Sequence, residues 1–289
     1  MADALILTAD DFGFATEIND AVVHAHREGV LSAASLMVTG PAAGHAVALA
    51  RRLPTLRVGL HLALTDVTPA SPPERIPALV DTGGRLRCGF SMLAAGVTLR
   101  RKVRQQLAAE IAAQCAAFRR TGLTPDHINA HKHFHLHPMI AELVLDIGRH
   151  YGFTALRVPR ESSAAYPAWW LPSQLALSPW LALLKMRARQ RGFMTPDVVL
   201  GRAWSGAMTV DRLRRLLENL PGGVVEIYTH PATSNSFAGH AVGYRYTDEL
   251  AALTAPAIRE LLRRCKLHPG GYRDADRGAR PAISVVPAN

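Results

Sequence analysis

Asp126-His-Ile-Asn-Ala-His-Lys-His-Phe-His-Leu-His-Pro138 carries five of the chain's thirteen histidines, at 127, 131, 133, 135 and 137. They fall on alternate positions. In an extended strand alternate side chains share a face, so His127, Asn129 and His131 are expected on one side, with Ile128 and Ala130 packing on the other. Pro138 suits the first turn of a following helix. The stretch therefore reads as a strand end that delivers imidazoles to a site, with a loop and a helix behind it. Imidazole is the commonest protein ligand for a transition metal.

Two further stretches point the same way. Leu5-Ile-Leu-Thr-Ala is a short apolar run, read as a buried strand, and it ends in the adjacent carboxylates Asp10 and Asp11 before Phe12-Gly13. Val58-Gly-Leu-His-Leu-Ala-Leu64 is a second such run, and His61 is its one strongly polar side chain. Together these stretches offer one carboxylate and two imidazoles, with a second carboxylate left for chemistry. Three protein ligands and an open position are what a catalytic metal needs. Adjacent strand residues face opposite ways, so Asp10 and Asp11 share a site only if the strand ends there; Phe12-Gly13 permits the turn.

The surrounding chain alternates strand and helix seven or eight times. Strands are expected at Ala4–Ala9, Ala33–Thr39, Val58–Leu64, the histidine stretch, Ala155–Val158, Gly223–Thr229 and, last and shortest, Lys266–Tyr272. Helices are expected at Thr16–Glu28, Ala42–Leu53, Leu99–Arg120, Pro138–Tyr151 and Thr209–Leu220, with a region from Asp248 to Arg264 restarting near Pro256. In Leu99–Arg120 the residues Leu99, Val103, Leu107, Ile111 and Cys115 form one apolar stripe, and Glu110 lies off it. Such alternation argues for a parallel sheet with helices outside. The expectation is an α/β fold, a (β/α) barrel of about seven or eight strands of TIM-barrel type, since barrel sites sit at the C-terminal ends of strands. A doubly wound open sheet is the alternative. One domain is expected over 1–273, with an insertion at about 162–195 and a loosely ordered tail over 274–289.

The 289 residues are 48% hydrophobic, enough for a substantial core. The formal charge of +10 suits an anionic partner such as phosphate or an acidic membrane surface. No nucleic-acid signature is present, so nucleic acid is not expected as a partner. Cys88, Cys115 and Cys265 are far apart and odd in number, which fits a reducing compartment. With no signal-peptide pattern and no clean apolar run of ~20 residues, a cytoplasmic protein is expected, peripheral at the inner membrane surface if it contacts lipid at all. The insertion holds Trp169, Trp170 and Trp180 among leucines, followed by Lys185, Arg187, Arg189 and Arg191. Such a piece can lie in a membrane interface, or pack over the site or against a second copy in a homodimer. Pro167, Pro172 and Pro179 argue against a simple spanning helix.

In order and spacing, Thr8-Ala-Asp-Asp-Phe-Gly13, Gly59-Leu-His-Leu62, His127-Ile-Asn-Ala-His-Lys-His-Phe-His135 and Tyr228-Thr-His-Pro231 resemble the YdjC-like carbohydrate deacetylases, over most of the chain. The His131-Lys-His-Phe-His-Leu-His137 wording resembles the hopanoid-biosynthesis-associated subgroup, taken to remove acetyl from an N-acetylglucosaminyl hopanoid lipid. Asn129 departs from the pattern: chitooligosaccharide deacetylases of the family often carry Asp there. The resemblance implies a (β/α) barrel and one divalent ion on Asp11, His61 and His131. Zn²⁺ suits an Asp-His-His set; Co²⁺ and, with fewer oxygen ligands than it prefers, Mg²⁺ are the other candidates.

On that reading Asp10 is the general base and His230 the acid that protonates the departing amine. His133, Arg157, Trp169 and Trp170 are candidates for substrate contact; Arg157 could instead hold Asp10. Glu226, in an apolar strand, calls for a buried partner. The expected reaction is metal-dependent removal of acetyl from a lipid-linked N-acetylglucosamine. The alternatives are a soluble diacetylchitobiose-type deacetylase, a metal phosphoesterase on sugar phosphates, and a non-catalytic binder.

Overall fold

Strand β1 (Ala2–Phe12) is central, and the sheet is built outward from it. The structure is a computed structural model that describes residues 2–87, 89–162 and 171–279, without side chains at 171–175 and 277–279. Five further strands join β1: β2 (Ala33–Leu36), β3 (Arg57–Leu62), β4 (Ile128–Ala130), β5 (Val198–Leu200) and β6 (Gly223–Thr229). The order is β4-β3-β2-β1-β6-β5 and every pairing is parallel. The helices are α1 (Thr16–Arg27), α2 (Ala43–Ala50), α3 (Phe90–Leu99), α4 (Arg101–Arg120), α5 (Pro138–His150), α6 (Leu171–Gln190), α7 (Val210–Glu218), α8 (Tyr246–Thr254), α9 (Pro256–Arg264) and α10 (Tyr272–Ala279). One apolar core runs from Ala2 to Leu262 and takes in both the strands and the inner faces of the helices.

The sheet is a curled half-barrel of six strands, not the seven or eight expected. Its two edges are tied by the extended segment 154–160. On one side Arg157 N donates to Ile128 O (3.1 Å) and Ile128 N to Ala155 O (2.9 Å). On the other, Leu156 N donates to Met194 O (2.9 Å) and Val199 N to Arg160 O (2.9 Å). Pro159 has no N–H to give, which keeps this segment to isolated bridges. Lys266–Tyr272 is likewise not a strand: Pro269 interrupts it, and only Gly270 N reaches Leu5 O (2.9 Å).

Other boundaries moved for local reasons. Arg100 is extended (φ −121°, ψ 109°), so the expected Leu99–Arg120 helix starts at Arg101 as α4, and a separate helix that was not expected, α3, ends at Leu99 just before it. Glu110, expected off the packed stripe, is fully buried. Its carboxylate accepts from Ala70 N and Ser71 N (2.8 Å each), and Gln114 and Gln106 bond Ala63 and Ala78 the same way. A polar stripe on α4 therefore holds the proline-rich loop by its backbone donors.

The segment 162–195, expected as an insertion, is only partly in view: Trp169 and Trp170 lie outside the described residues, and α6 runs on through Pro179 as a 20-residue helix. Trp180 Nε1 donates to Leu136 O (2.7 Å), and Leu181 and Leu184 are buried. No helix among the described residues is long and apolar enough to cross a membrane. The expected loose tail is ordered at its start. Asp274 accepts from Arg57 (2.8 and 2.9 Å) at the head of α10, and 280–289 lie outside the described residues.

The Gly59-Leu-His61 motif has a packing reason. A Cβ at Gly59 would fall 2.5 Å from the His127 ring, which is fully buried between Ser35 (2.9 Å), Asp126 (3.0 Å) and the stacked Tyr272. Gly59→Ala is expected to cost about 1–3 kcal/mol by overpacking. A lowered urea midpoint is the expected reading; an unchanged midpoint would show that the ring moves aside freely.

Candidate metal centre and catalytic cavity

Asp10 and Asp11 reach the same cavity although β1 does not end between them. The strand continues to Phe12, but its register against β2 slips between Ala9 and Phe12, and Asp11 takes a left-handed φ of 62°. This bulge turns one residue over so that neighbouring carboxylates face the same way. Gly13 (φ 95°) completes the exit, and its N–H donates to Asn19 Oδ1 (2.7 Å). The sequence reasoning needed the strand to stop; a kink inside it does the work instead.

The histidine stretch also departs from simple alternation. His127 and Asn129 share the inner face as expected, and both bond Ser35 Oγ (2.9 Å each). After Ala130 the chain coils into a 3-10 turn over His131–Leu136, with Lys132 and His133 at φ 50° and 55°. His131 therefore points to the site and His133 lines the cavity, where its Nε2 meets Tyr228 OH (3.1 Å). His135 is buried behind them and donates from Nε2 to Arg157 O (2.9 Å). Burial, with help from the Arg157 cation, pushes His135 down to about 4, so it is neutral at ordinary pH. His137 caps α5 and faces Thr98 (3.2 Å).

Asp11, His61 and His131 converge. Asp11 Oδ1 is 3.2 Å from His61 Nε2 and 2.9 Å from His131 Nδ1, and one ligand atom from each residue lies within 4.8 Å of the others. Zn–N and Zn–O bonds of about 2.0–2.2 Å place the ligand atoms of a tetrahedral site roughly 3.3 Å apart, so the spacing fits a small divalent ion. In the metal-free arrangement burial pushes the Asp11 carboxyl up, and His131 and His61 outweigh it and hold it well below the usual range. Burial lowers His131, and Asp11 outweighs that and brings it up to about 9.

Asn129 decides which nitrogen of His61 is free. With its Oδ1 toward His61 Nδ1 (2.6 Å), the ring hydrogen sits on Nδ1 and Nε2 keeps its lone pair for an ion. The amide Nδ2 then faces Ser35 Oγ (2.9 Å) and Asp10 Oδ1 (3.4 Å), but also Arg157 Nη1 at 2.8 Å, donor against donor. Turned over, Oδ1 accepts from Arg157 and Ser35 while Nδ2 donates to His61 Nδ1. The ring hydrogen then moves to Nε2, where Asp11 accepts it. One orientation is metal-competent and the other closes the site with hydrogen bonds. A carboxylate at 129 would accept from both His61 and Arg157 and remove the conflict.

Arg157 lies behind Asp10. It is fully buried, its Nη1 donates to Asp10 Oδ2 (2.5 Å), and its Nη2 and Nε grip Glu226 (2.6 to 3.1 Å). Of the two placements the sequence left open, the structure shows the one against Asp10, with Arg157 not among the residues that line the cavity. Burial pushes Asp10 up; Arg157 and His61 outweigh it and keep the carboxyl ionised, well below the ordinary range. Glu226 finds the buried partners it called for in Arg157, Thr8 (2.7 Å) and Tyr272.

The cavity beyond is about 760 Å³. Asp10, Asp11, His61, His131, His230, Tyr228 and Tyr244 are among the residues that line it. His230 Nδ1 is buried with no hydrogen-bond partner among the described residues, and its ring meets Tyr228 and Tyr244 edge-on. Asp66 was missed by the sequence reading. It follows the end of β3 at φ 67°, pairs with Lys132 (2.5 Å) and stands 3.7 Å from His131 Nε2. Its signal was position alone: it lies in a loop after a strand's C-terminal end.

Residues 4–264 match the family described as YdjC-like protein. A carbohydrate deacetylase of Brevibacillus brevis is 34% identical over 261 residues, covering 89% of this chain and 94% of the relative. One from Geobacillus stearothermophilus is 30% identical over 257 residues, covering 88% and 90%. A crystal structure of an Enterococcus faecalis V583 protein, for which cellobiose-phosphate cleavage is a proposed role, superposes with a TM-score of 0.74 at 24% identity. It covers 95% of this chain and 99% of that one, and shows the same fold.

Asn129→Ala removes the group that orients His61 and is expected to weaken Zn²⁺ or Co²⁺ binding about 10–100-fold, measured by calorimetry. Asn129→Asp is expected to bind at least as tightly as the wild type. Equal affinity in Asn129→Ala would show that His61 needs no orienting partner.

Proposed function

The chain belongs to the YdjC-like family, and from that premise we propose that it removes acetyl, metal-dependently, from a lipid-linked N-acetylglucosamine, releasing acetate and the free amine. Curated relatives over nearly the whole chain are carbohydrate deacetylases, and the protein is a hydrolase of amide C–N bonds in an acetylated sugar. The observation that carries the proposal is the bulge at Asp11, which sets the carboxylate grouped with His61 and His131 beside the Arg157-held carboxylate of Asp10 at one cavity.

Asp11, His61 and His131 would hold a divalent ion, which when bound would supply Lewis acidity toward the acetyl carbonyl and a water of lowered pKa; Zn²⁺ suits the donor set best. Asp10 acts as the base. Arg157 occupies its Oδ2, so Oδ1 is the atom left to take the water's proton, and the guanidinium fixes its direction. An amine leaves only when protonated, so an acid is needed on the far side of the scissile bond. We assign that role to His230, which lines the same cavity and whose Nδ1 has no hydrogen-bond partner among the described residues. His133 and Tyr228 form a hydrogen-bonded pair that can bind sugar hydroxyls.

Two features support the lipid-linked substrate. The histidine wording resembles the hopanoid-associated subgroup, and Asn129 departs from the residue often found in deacetylases of chitin fragments.

Acetate release by metal-loaded protein is the test, with an N-acetylglucosaminyl bacteriohopanetetrol and N,N′-diacetylchitobiose compared. Turnover of the lipid with little from the soluble sugar is expected; the reverse result overturns the lipid reading. Asp10→Asn is expected to lower turnover about 10²–10⁴-fold with metal content unchanged, and His230→Gln to do the same. Undiminished turnover in Asp10→Asn removes the base from its role.

A further inference from the structure

Helix α3, Phe90-Ser-Met-Leu-Ala-Ala-Gly-Val-Thr-Leu99, contains no charged residue, yet only Val97 is buried. Phe90 is 45% exposed, Met92 54% and Leu99 81%; these are three of the five large hydrophobic side chains that stand exposed among the described residues. A ten-residue apolar helix lying on the surface is costly in water and asks for a cover.

The chain then runs into Arg100, Arg101 and Lys102, all exposed. None of them makes an ion pair among the described residues. They crowd the N-terminus of α4, whose first turn holds no acidic residue. Cations there oppose the helix dipole, so their placement does not serve the helix. Arg104 is different: it donates to Val97 O and Thr98 O and holds the end of α3.

The location is next to the chemistry. Phe90 packs edge-on against Phe134 (5.3 Å between ring centres) and near His137, in the turn that begins with His131. Between α3, α4 and the preceding loop lies a groove of about 280 Å³, lined by Leu79, Leu86, Met92, Leu93, Val103 and Leu107, among others. Leu86 also lines the catalytic cavity, so the two spaces adjoin.

We propose that α3 and the Arg100-Arg101-Lys102 run are a membrane-docking face, which lays the protein on an anionic lipid surface with its catalytic cavity beside that surface. The apolar side chains enter the acyl boundary while the three cations engage lipid phosphates, the division of labour of an interfacial helix. Charge complementarity selects this occupant over a second copy of the chain, because two such faces would bring six uncompensated cations together. The proposal places lipid contact at α3, where the sequence had suggested the tryptophan-bearing insertion. It stands apart from the deacetylation reading, since docking is measured without turnover.

The test is sedimentation of the full, metal-loaded protein with phosphatidylglycerol-containing vesicles and with pure phosphatidylcholine vesicles. Binding to the first and not the second is expected. Phe90→Ser/Met92→Ser/Leu99→Ser and, separately, Arg100→Glu/Arg101→Glu/Lys102→Glu are each expected to weaken it about 100-fold. Unchanged melting midpoints and metal content would show both variants folded, the altered side chains being on the surface. Absence of binding by the wild type, or binding retained in both variants, overturns the proposal. Loss in the charge variant alone also overturns it, leaving simple adsorption of a basic protein. A wild-type dimer that the serine variant dissolves, with no vesicle binding, would assign α3 to self-contact instead.

Discussion

The guanidinium of Arg157 lies wholly inside the protein between two carboxylates, and the site is arranged around it. Asp10 comes from β1 and Glu226 from β6, while Arg157 itself sits on the segment that ties the two edges of the sheet. Tyr272 from α10 and Thr8 from β1 complete Glu226, the Tyr228 ring lies under the guanidinium (4.7 Å), and His135 bonds the Arg157 carbonyl. A buried cation with two buried anions leaves one negative charge unbalanced. Removing the cation would strand both carboxylates, a change that typically costs about 3–5 kcal/mol for a buried pair. The same excess of negative charge, next to Asp11, favours a divalent cation. On the proposed reading, structural stability and metal attraction come from one arrangement.

Backbone strain is concentrated where that arrangement meets the cavity. Asp11, Asp66, Lys132 and His133 all have left-handed φ values without being glycine. Each such residue costs of order 1–3 kcal/mol and persists only where its surroundings over-determine it. Here the surroundings are visible. Asp11 is held by His61 and His131, Asp66 by Lys132, and His133 by Tyr228. The reward is directional: Asp11 turns in beside Asp10, and the turn after β4 puts His131 and His133 on the cavity while sending His135 behind it.

The site was more legible in the sequence than the fold around it. Ligand-type residues at the ends of apolar runs are conspicuous, so Asp10, Asp11, His61, His131 and His230 could be picked out, and the structure gathers all five at one cavity. β6 was read to the residue because Gly223-Val-Val-Glu-Ile-Tyr-Thr229 is bounded by glycines and a loop. Features set by tertiary contact were not legible. Nothing local marks Asp11 as a bulge, since its φ is fixed by two histidines far along the chain. Glu110 looked solvent-facing because its partners are backbone N–H groups of a distant loop. Val198–Leu200 is only three residues long, too short to show a period, and 154–160 is a tie rather than a strand because Pro159 interrupts its donors. Trp169 and Trp170, put forward as substrate contacts, lie outside the described residues.

The central claim is that Asp11, His61 and His131 take the ion while Asp10, gripped by Arg157, stays out of the coordination shell and free to act. Anomalous diffraction at the zinc edge, from crystals of the zinc-loaded protein, tests it most directly. The account predicts one peak bonded to Asp11, His61 and His131, with the Asp10–Arg157 pair intact and Asp10 Oδ1 unliganded. A peak that takes Asp10 as a ligand with Arg157 released, or one that bypasses His131, would contradict it.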